Sequence, residues 1–260
     1  MGLNKKRINI FPIKSGHFWA DAGSVMGTLP KILWYKKIQT DSENRVRLDI
    51  NLLLIQIEDS NILIDTGIGN RNINKIPSRF KCNNELVENK LLKFNLTPAK
   101  IDTVVLTHLH FDHAGGIYDK NGNLTFNRAL HLVQKKEWLA AQDKYRVDAC
   151  SYKTDLTKLE NSGKLQIIDG TYKISDDIKL KLVSGHSAGM QIVEIKDEKL
   201  FYFCSDLFPL FLHKSPQITS ASDICRQQVY EAKKEILLSL RKLGGRLYFG
   251  HQTGRNYLEF

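Results

Sequence analysis

Three of the chain's eight histidines fall in one short run, Thr107-His108-Leu109-His110-Phe111-Asp112-His113-Ala114-Gly115-Gly116. His108 and His110 are separated by one residue, so an extended backbone points both side chains the same way. Asp112 and His113 come as the chain turns towards a helix, and they can face a second point close to the first. Ala114-Gly115-Gly116 lets the backbone pass near these donors without a side chain in the way. Imidazoles with a carboxylate suit zinc first, and also iron, manganese or cobalt. The chemistry such a site offers is hydrolysis, because a pair of bound metals lowers the pKa of water from about 15.7 towards about 7. Three surface histidines beside an exposed aspartate are the plain alternative. A Val-rich strand, Ile101–Leu106, leads straight into the run and speaks against it.

The pattern His108-x-His110-x-Asp112-His113 resembles the signature of the metallo-β-lactamase superfamily. The resemblance extends from Asn51 to His251 and implies three more ligands, found in order at Gly185-His186-Ser187-Ala188-Gly189, Ser205-Asp206 and Gly250-His251. It implies that His108, His110 and His186 hold one metal, that Asp112, His113 and His251 hold the other, and that Asp206 bridges them. A hydroxide shared by the metals would then attack a carbonyl or phosphoryl centre. Asp112 and Asp206 are the catalytic carboxylates of this reading, with Asp206 passing a proton to the leaving group. Asp65, in Asp65-Thr66-Gly67, resembles the acid that orients a ligating histidine. Ser187 and Ser205 receive no nucleophilic role.

The run Asp21-Ala22-Gly23-Ser24-Val25-Met26-Gly27-Thr28-Leu29-Pro30-Lys31-Ile32-Leu33-Trp34 looks like a pocket-wall segment of the superfamily's lactonase-like branch. Met26, Trp34, Phe208 and Phe211 would then line an apolar pocket for an acyl or aryl group; the other reading makes them core residues. The branch commonly has a tyrosine three residues after the bridging aspartate, where this chain has Pro209. His213, on the following loop, is a candidate substrate contact in its place. His17 and His131 read as structural or surface residues.

The elements around these residues mix strands and helices. Leu52–Ile57 and Ile62–Ile64 flank a turn and end at Asp65; Gln191–Ile195 and Leu200–Cys204 flank another and end at Ser205-Asp206. Both read as hairpins with an acid at the strand end, as if two halves shared one plan. Ile178–Val183 alternates lysine with apolar residues as a half-exposed strand. Helices are expected over Glu85–Phe94, Glu137–Tyr145, Thr154–Leu159 and Asp223–Leu243, the last stopped by Gly244-Gly245. Ala129–Val133 and Arg246–Phe249 complete the strands. The expected architecture is α/β: a four-layer αββα sandwich of two mixed sheets flanked by helices, in one domain spanning 1–260.

Composition narrows the function classes. Lys and Arg number 38 against 28 Asp and Glu, a formal charge of +10. The basic residues are scattered in short clusters such as Lys5-Lys6-Arg7 and Lys135-Lys136, which read as solvated surface rather than a nucleic-acid footprint. No apolar run approaches a membrane span, Met1–Ile13 lacks the core of a signal peptide, and Gly2 lacks the myristoylation pattern. Cys82, Cys150, Cys204 and Cys225 show no C-x-x-C spacing, so free thiols in a reducing cytoplasm are expected. The leading reading is a dinuclear hydrolase of a lactone or related carboxylic ester, similar to N-acyl-homoserine lactonases, acting on a small molecule. Two divalent ions, zinc first, are its cofactors, and lactonase-like relatives are often homodimers. The alternatives are a phosphodiesterase, phosphotriesterase or nuclease on the same scaffold, and a non-catalytic or redox metal protein.

Overall fold

The fold is seen in a computed structural model that describes residues 7–260. Lys5, Lys6 and the Gly2 segment lie outside the described residues. Strand β1 (Ile8–Asp21) leads into helices α1 (Ala22–Met26) and α2 (Lys31–Trp34). Then come β2 (Arg45–Ile57), β3 (Ser60–Ile64), β4 (Asn83–Asn84), α3 (Val87–Leu91), β5 (Thr103–Val105), α4 (Phe111–Ala114), β6 (Leu130–Gln134), α5 (Lys135–Gln142), α6 (Thr157–Glu160) and β7 (Leu165–Ile168). The second half runs through β8 (Tyr172–Lys173), β9 (Ile178–Leu182), β10 (Gln191–Lys196), β11 (Leu200–Phe203), α7 (Arg226–Leu243), β12 (Gly245–Tyr248) and β13 (Tyr257–Glu259).

Two mixed sheets result. The first has the order β4-β1-β2-β3-β5-β6-β7 and the second β13-β12-β11-β10-β9-β8. β2 pairs antiparallel with β3, whereas β3, β5, β6 and β7 run parallel. β9, β10 and β11 are antiparallel neighbours, and β12 joins β11 in parallel.

Three apolar layers hold the sheets in place. Between them, Leu53, Ile55 and Val105 meet Leu180, Val193 and Phe203. Outside the first sheet, Leu52, Leu54 and Val104 pack with Leu91, Trp138 and Leu159 of the helices. Outside the second, Ile192, Tyr202 and Leu247 pack against Val229, Ile236 and Leu240 of α7. Strand β2 is therefore covered on both faces, and its uninterrupted Leu52-Leu53-Leu54-Ile55 run follows from that. This is the expected αββα sandwich of two mixed sheets flanked by helices.

Both expected hairpins form, with Ile57 opposite Ser60 in one and Lys196 opposite Leu200 in the other. Each hands over to its acid through a left-handed residue, Asp65 itself (φ 62°) and Ser205 (φ 46°). Such backbone is uncommon outside glycine and is retained where surrounding contacts demand it.

Helix boundaries differ from expectation for physical reasons. The Glu85–Phe94 helix starts only at Val87 and tightens to a 3-10 turn at Leu92–Phe94 before left-handed Asn95 ends it. The long helix begins at Arg226 rather than Asp223, because the backbone is extended at Cys225. The helix expected over Glu137–Tyr145 runs Lys135–Gln142, since Asp143 is extended. The one expected over Thr154–Leu159 is a single turn, Thr157–Glu160.

Candidate metal centre

The site lies at the end of the sandwich where several strands stop. The chain leaves β5 through Leu106 and Thr107, delivers His108 and then His110 in extended backbone, and turns into α4 with Asp112 and His113. His186 follows β9, Asp206 follows β11 and His251 follows β12. Asp65 follows β3, next to β5, so its carboxylate reaches the same place.

These seven candidate ligands converge. His108, His110 and His186 form one group whose donor atoms all lie within 4.8 Å of one another, and Asp112, His113 and His251 form another. A third group, His108, His113 and Asp206, spans the two. Asp206 faces both sides: its Oδ2 is 3.2 Å from His186 Nε2, and its Oδ1 is 3.1 Å from His113 Nε2 and 2.9 Å from His251 Nε2. Asp112 Oδ2 lies 3.3 Å from His113 Nε2 and 3.4 Å from His251 Nε2. On the first side, His110 Nδ1 and His186 Nε2 are 3.3 Å apart.

The outward nitrogens are held by acceptors. His113 Nδ1 donates to Asp65 Oδ2 at 2.8 Å, His186 Nδ1 to Asp223 Oδ1 at 2.8 Å, and His251 Nδ1 to the Asp49 carbonyl at 2.8 Å. Asp65 also takes the Thr107 N–H (2.7 Å) and the Thr107 hydroxyl, whose oxygen is 3.1 Å from His108 Nδ1. One buried carboxylate thus orients a histidine of each group, directly for His113 and through Thr107 for His108. Asp223 is fixed in turn by the Ser220 N–H at 2.8 Å.

The residues fit a pair of cations. With its Nδ1 bound outward, His108 presents its Nε2 lone pair inward, and the Nε2 atoms of His108 and His110 are both buried without a hydrogen-bond partner. An unpaired buried polar atom costs about 1–3 kcal/mol, so a cluster of them calls for a ligand. Mixed imidazole and carboxylate donors with carboxylate-held outer nitrogens are what borderline divalent metals take.

Charge follows position. Burial, helped by the charge of neighbouring histidines, pushes His108 well down and His110 down to about 3, so both rings are neutral donors. Burial opposes ionisation of Asp206 as well, yet His251, His113 and His186 around it hold its carboxyl well below the usual carboxylate range. Burial likewise disfavours charge on His186, but Asp206 and Asp223 outweigh it and raise the ring to about 9. His113 and His251 rise for the same reason, through Asp112 and Asp206.

Residues 45–204 match the sequence profile of the Metallo-beta-lactamase superfamily. The chain belongs to this superfamily. A solved structure of a probable metal-dependent hydrolase from Staphylococcus aureus is 30% identical, with 99% of this chain and 94% of that one covered at a TM-score of 0.91. An N-acyl homoserine lactonase of Bacillus cereus is 28% identical over 170 residues, 60% of this chain and 62% of the relative. The match therefore spans less than two thirds of that lactonase. AidC, a dizinc quorum-quenching lactonase, superposes with a TM-score of 0.76 at 20% identity, covering 98% of this chain and 91% of its own, a likeness of fold.

The expected pocket residues are placed differently from the ligands. Met26 and Phe208 have no exposed surface and Trp34 is 2% exposed, so all three sit inside the apolar layers. His213 is also fully buried, and its Nε2 donates to the Val25 carbonyl at 3.1 Å. Phe211 is half-buried and lines a groove of about 730 Å³ with Trp19, Arg47, Asp49 and Gln252. His131 is buried in β6, beside the Lys164 carbonyl.

An aromatic cluster beside the candidate ligands had no signal in spacing. Phe18 lies 5.5 Å from the His251 ring, 5.6 Å from Phe111 and 6.1 Å from Phe80, and Phe80 lies 5.7 Å from Phe111. On the other flank, the Tyr152 ring meets His110 edge-on at 5.0 Å.

Proposed function

We propose that this chain is a dinuclear metal-dependent hydrolase of a lactone or related carboxylic ester. The observation that carries the reading is the convergence of two donor groups on either side of Asp206, beside an apolar wall. His108, His110 and His186 would hold one ion, Asp112, His113 and His251 the other, with Asp206 between them. Bound there, two divalent cations supply a water of lowered pKa and polarise a carbonyl.

The chain's own groups do the rest. Asp65, Thr107, Asp223 and the Asp49 carbonyl keep the imidazoles aimed, so little reorganisation accompanies the reaction. Asp206 has the most open side chain of the cluster, at 13% exposure against 1–6% for His113, His186, His251 and Asp112. It is the carboxylate placed to accept a proton from an incoming nucleophile and return it to the leaving alkoxide. Phe80 and Phe111, backed by the buried Phe18, offer an apolar face for the acyl part of a substrate and exclude water from that side. We assign the pocket wall to the partly exposed Phe80 and Phe111 rather than to Met26, Trp34 and Phe208, whose surfaces are spent in the core. The similarity to N-acyl homoserine lactonases supports a lactone. An acyl-coenzyme A thioesterase of Bos taurus, 23% identical over 186 residues, makes thioesters a further class to assay.

Zinc is the metal we expect from the donor set. The four cysteines are free, which fits a reducing compartment and our expectation of the cytoplasm. No described helix is long and apolar enough to cross a membrane. The test is a panel of lactones, aryl esters, acyl thioesters and phosphodiesters with zinc-loaded protein and an Asp112→Asn control. Turnover of a lactone or ester that falls by about 100-fold or more in the control is expected, the scale of a lost catalytic group. Hydrolysis of phosphodiesters alone, or full activity in Asp112→Asn, would overturn it.

A further inference from the structure

Glu137 is a fully buried carboxylate to which the mechanism above gives no part. It sits in the first turn of α5, where a glutamate ordinarily reaches back to its own helix's free N–H groups. Here it points away and gathers donors from three separate segments. Oε1 accepts the Leu109 N–H at 2.9 Å and the Tyr152 hydroxyl at 3.2 Å. Oε2 accepts the Ser187 hydroxyl at 2.6 Å and the Gly189 N–H at 3.0 Å. The approach is close enough that a Cβ on Gly189 would come within 2.2 Å of the Glu137 nitrogen.

The identity of those donors carries the inference. Leu109 lies between His108 and His110, and Ser187 directly follows His186. Tyr152 packs its ring edge on His110. All three histidines of the first donor group are therefore tied to one carboxylate. The second group is held by other means, His113 by Asp65 and His251 by the Asp49 carbonyl. We propose that Glu137 is a positioning residue for the first metal alone, fixing the distance between the His108–His110 loop and the His186 loop. The inference rests on the proposed metal pair.

A carboxamide at this position keeps the volume but turns an N–H₂ towards at least one backbone N–H, which cannot reverse its role. Glu137→Gln should therefore loosen one loop against the other while leaving the second site intact. The experiment titrates the metal-free full chain with zinc against a chromophoric chelator, resolving two affinities in the wild type. In Glu137→Gln one affinity should weaken by about 10- to 100-fold, the range for loss of a group supporting metal ligands, and the other should not move. His251→Ala abolishes the unaffected affinity, so the double variant should show only the weakened one. Ser187→Ala removes a single hydrogen bond and should weaken the same affinity by less, which keeps the test open if Glu137→Gln folds poorly. Leu159→Ala, a core truncation, should lower the melting temperature without changing either affinity. Equal weakening of both sites, or none in either Glu137→Gln or Ser187→Ala, would overturn the inference. A wild type that binds no zinc pair would instead overturn the metal reading beneath it.

Discussion

At the scale of single residues, the centre is a contest between protons and metal ions for the same nitrogens. His186, raised to about 9, holds its proton at neutral pH while Asp206 and Asp223 flank it. A metal must displace that proton, so zinc uptake at pH 7 should release protons and affinity should climb as pH rises towards about 9. Proton release followed with an indicator dye in weak buffer checks this; uptake without release would contradict it. The same shift sets a stability trend. In metal-free protein the folded pKa of His186 exceeds the ordinary 6.5, so its contribution is complete below about pH 6.5 and is lost as pH passes about 9. Asp223→Asn should weaken zinc binding by about 10- to 100-fold by leaving His186 poorly aimed, measurable by the same chelator competition.

The ligand candidates were legible in the sequence because a metal site imposes residue types and because His108, His110, Asp112 and His113 are neighbours along the chain. Asp223 and Glu137 were not legible. Asp223 meets His186 and Glu137 meets Leu109 only through folding, and neither spacing nor residue type marks a carboxylate that will be buried against a distant loop. Phe18, Phe80 and Phe111 were missed for the same reason: they come from separate segments of the chain and meet only in three dimensions.

At the scale of elements, the acids at two strand ends are the common device. β3 and β11 each stop in a left-handed residue, which swings Asp65 and Asp206 off the line of their strands towards the centre. Both hairpins were visible as apolar runs around polar turns, but the left-handed backbone at Asp65 and Ser205 was not, since neither residue type demands it. The glycines after His113 show how tightly these ends are packed. A Cβ on Gly115 would lie 2.0 Å from the Ile68 carbonyl oxygen, which is backbone and cannot step aside as a side chain would. Gly115→Ala should thus force apart the loops bearing Asp65 and Asp112. We expect a loss of about 1–3 kcal/mol, the usual cost of overpacking, with weaker metal binding. Urea denaturation of the metal-free variant checks the first part, and an unchanged midpoint would contradict it. Helix starts were less legible than strand cores, because the extended backbone at Cys225, which starts the long helix at Arg226, has no mark in residue type or spacing.

At the scale of the molecule, the sandwich supplies rigidity and the loops at one end supply function. The three apolar layers do not depend on a metal, so metal-free protein should remain folded. Ligand linkage nevertheless ties the two: zinc at about 100 times its dissociation constant should add roughly 2.7 kcal/mol per site, seen as a higher melting temperature that a chelator reverses. A melting temperature indifferent to zinc would mean that the loops are not drawn together by a cation. The mixed order of strands and helices and the long helix pointed to two sheets flanked by helices, and the resemblance to the metallo-β-lactamase superfamily supplied the full αββα arrangement; the double covering of β2 shows only in the fold. The groove beside Phe211 was not readable, because it is formed where β1, β2 and three connecting segments leave space.

The central claim is that Asp206 stands between two cations held by the flanking donor groups. Anomalous diffraction from a zinc-soaked crystal, recorded above and below the zinc absorption edge, tests it directly. Two peaks about 3.5–4 Å apart are expected, one against His108, His110 and His186 and the other against Asp112, His113 and His251. No peak at the cluster, or a single peak away from Asp206, would contradict the account.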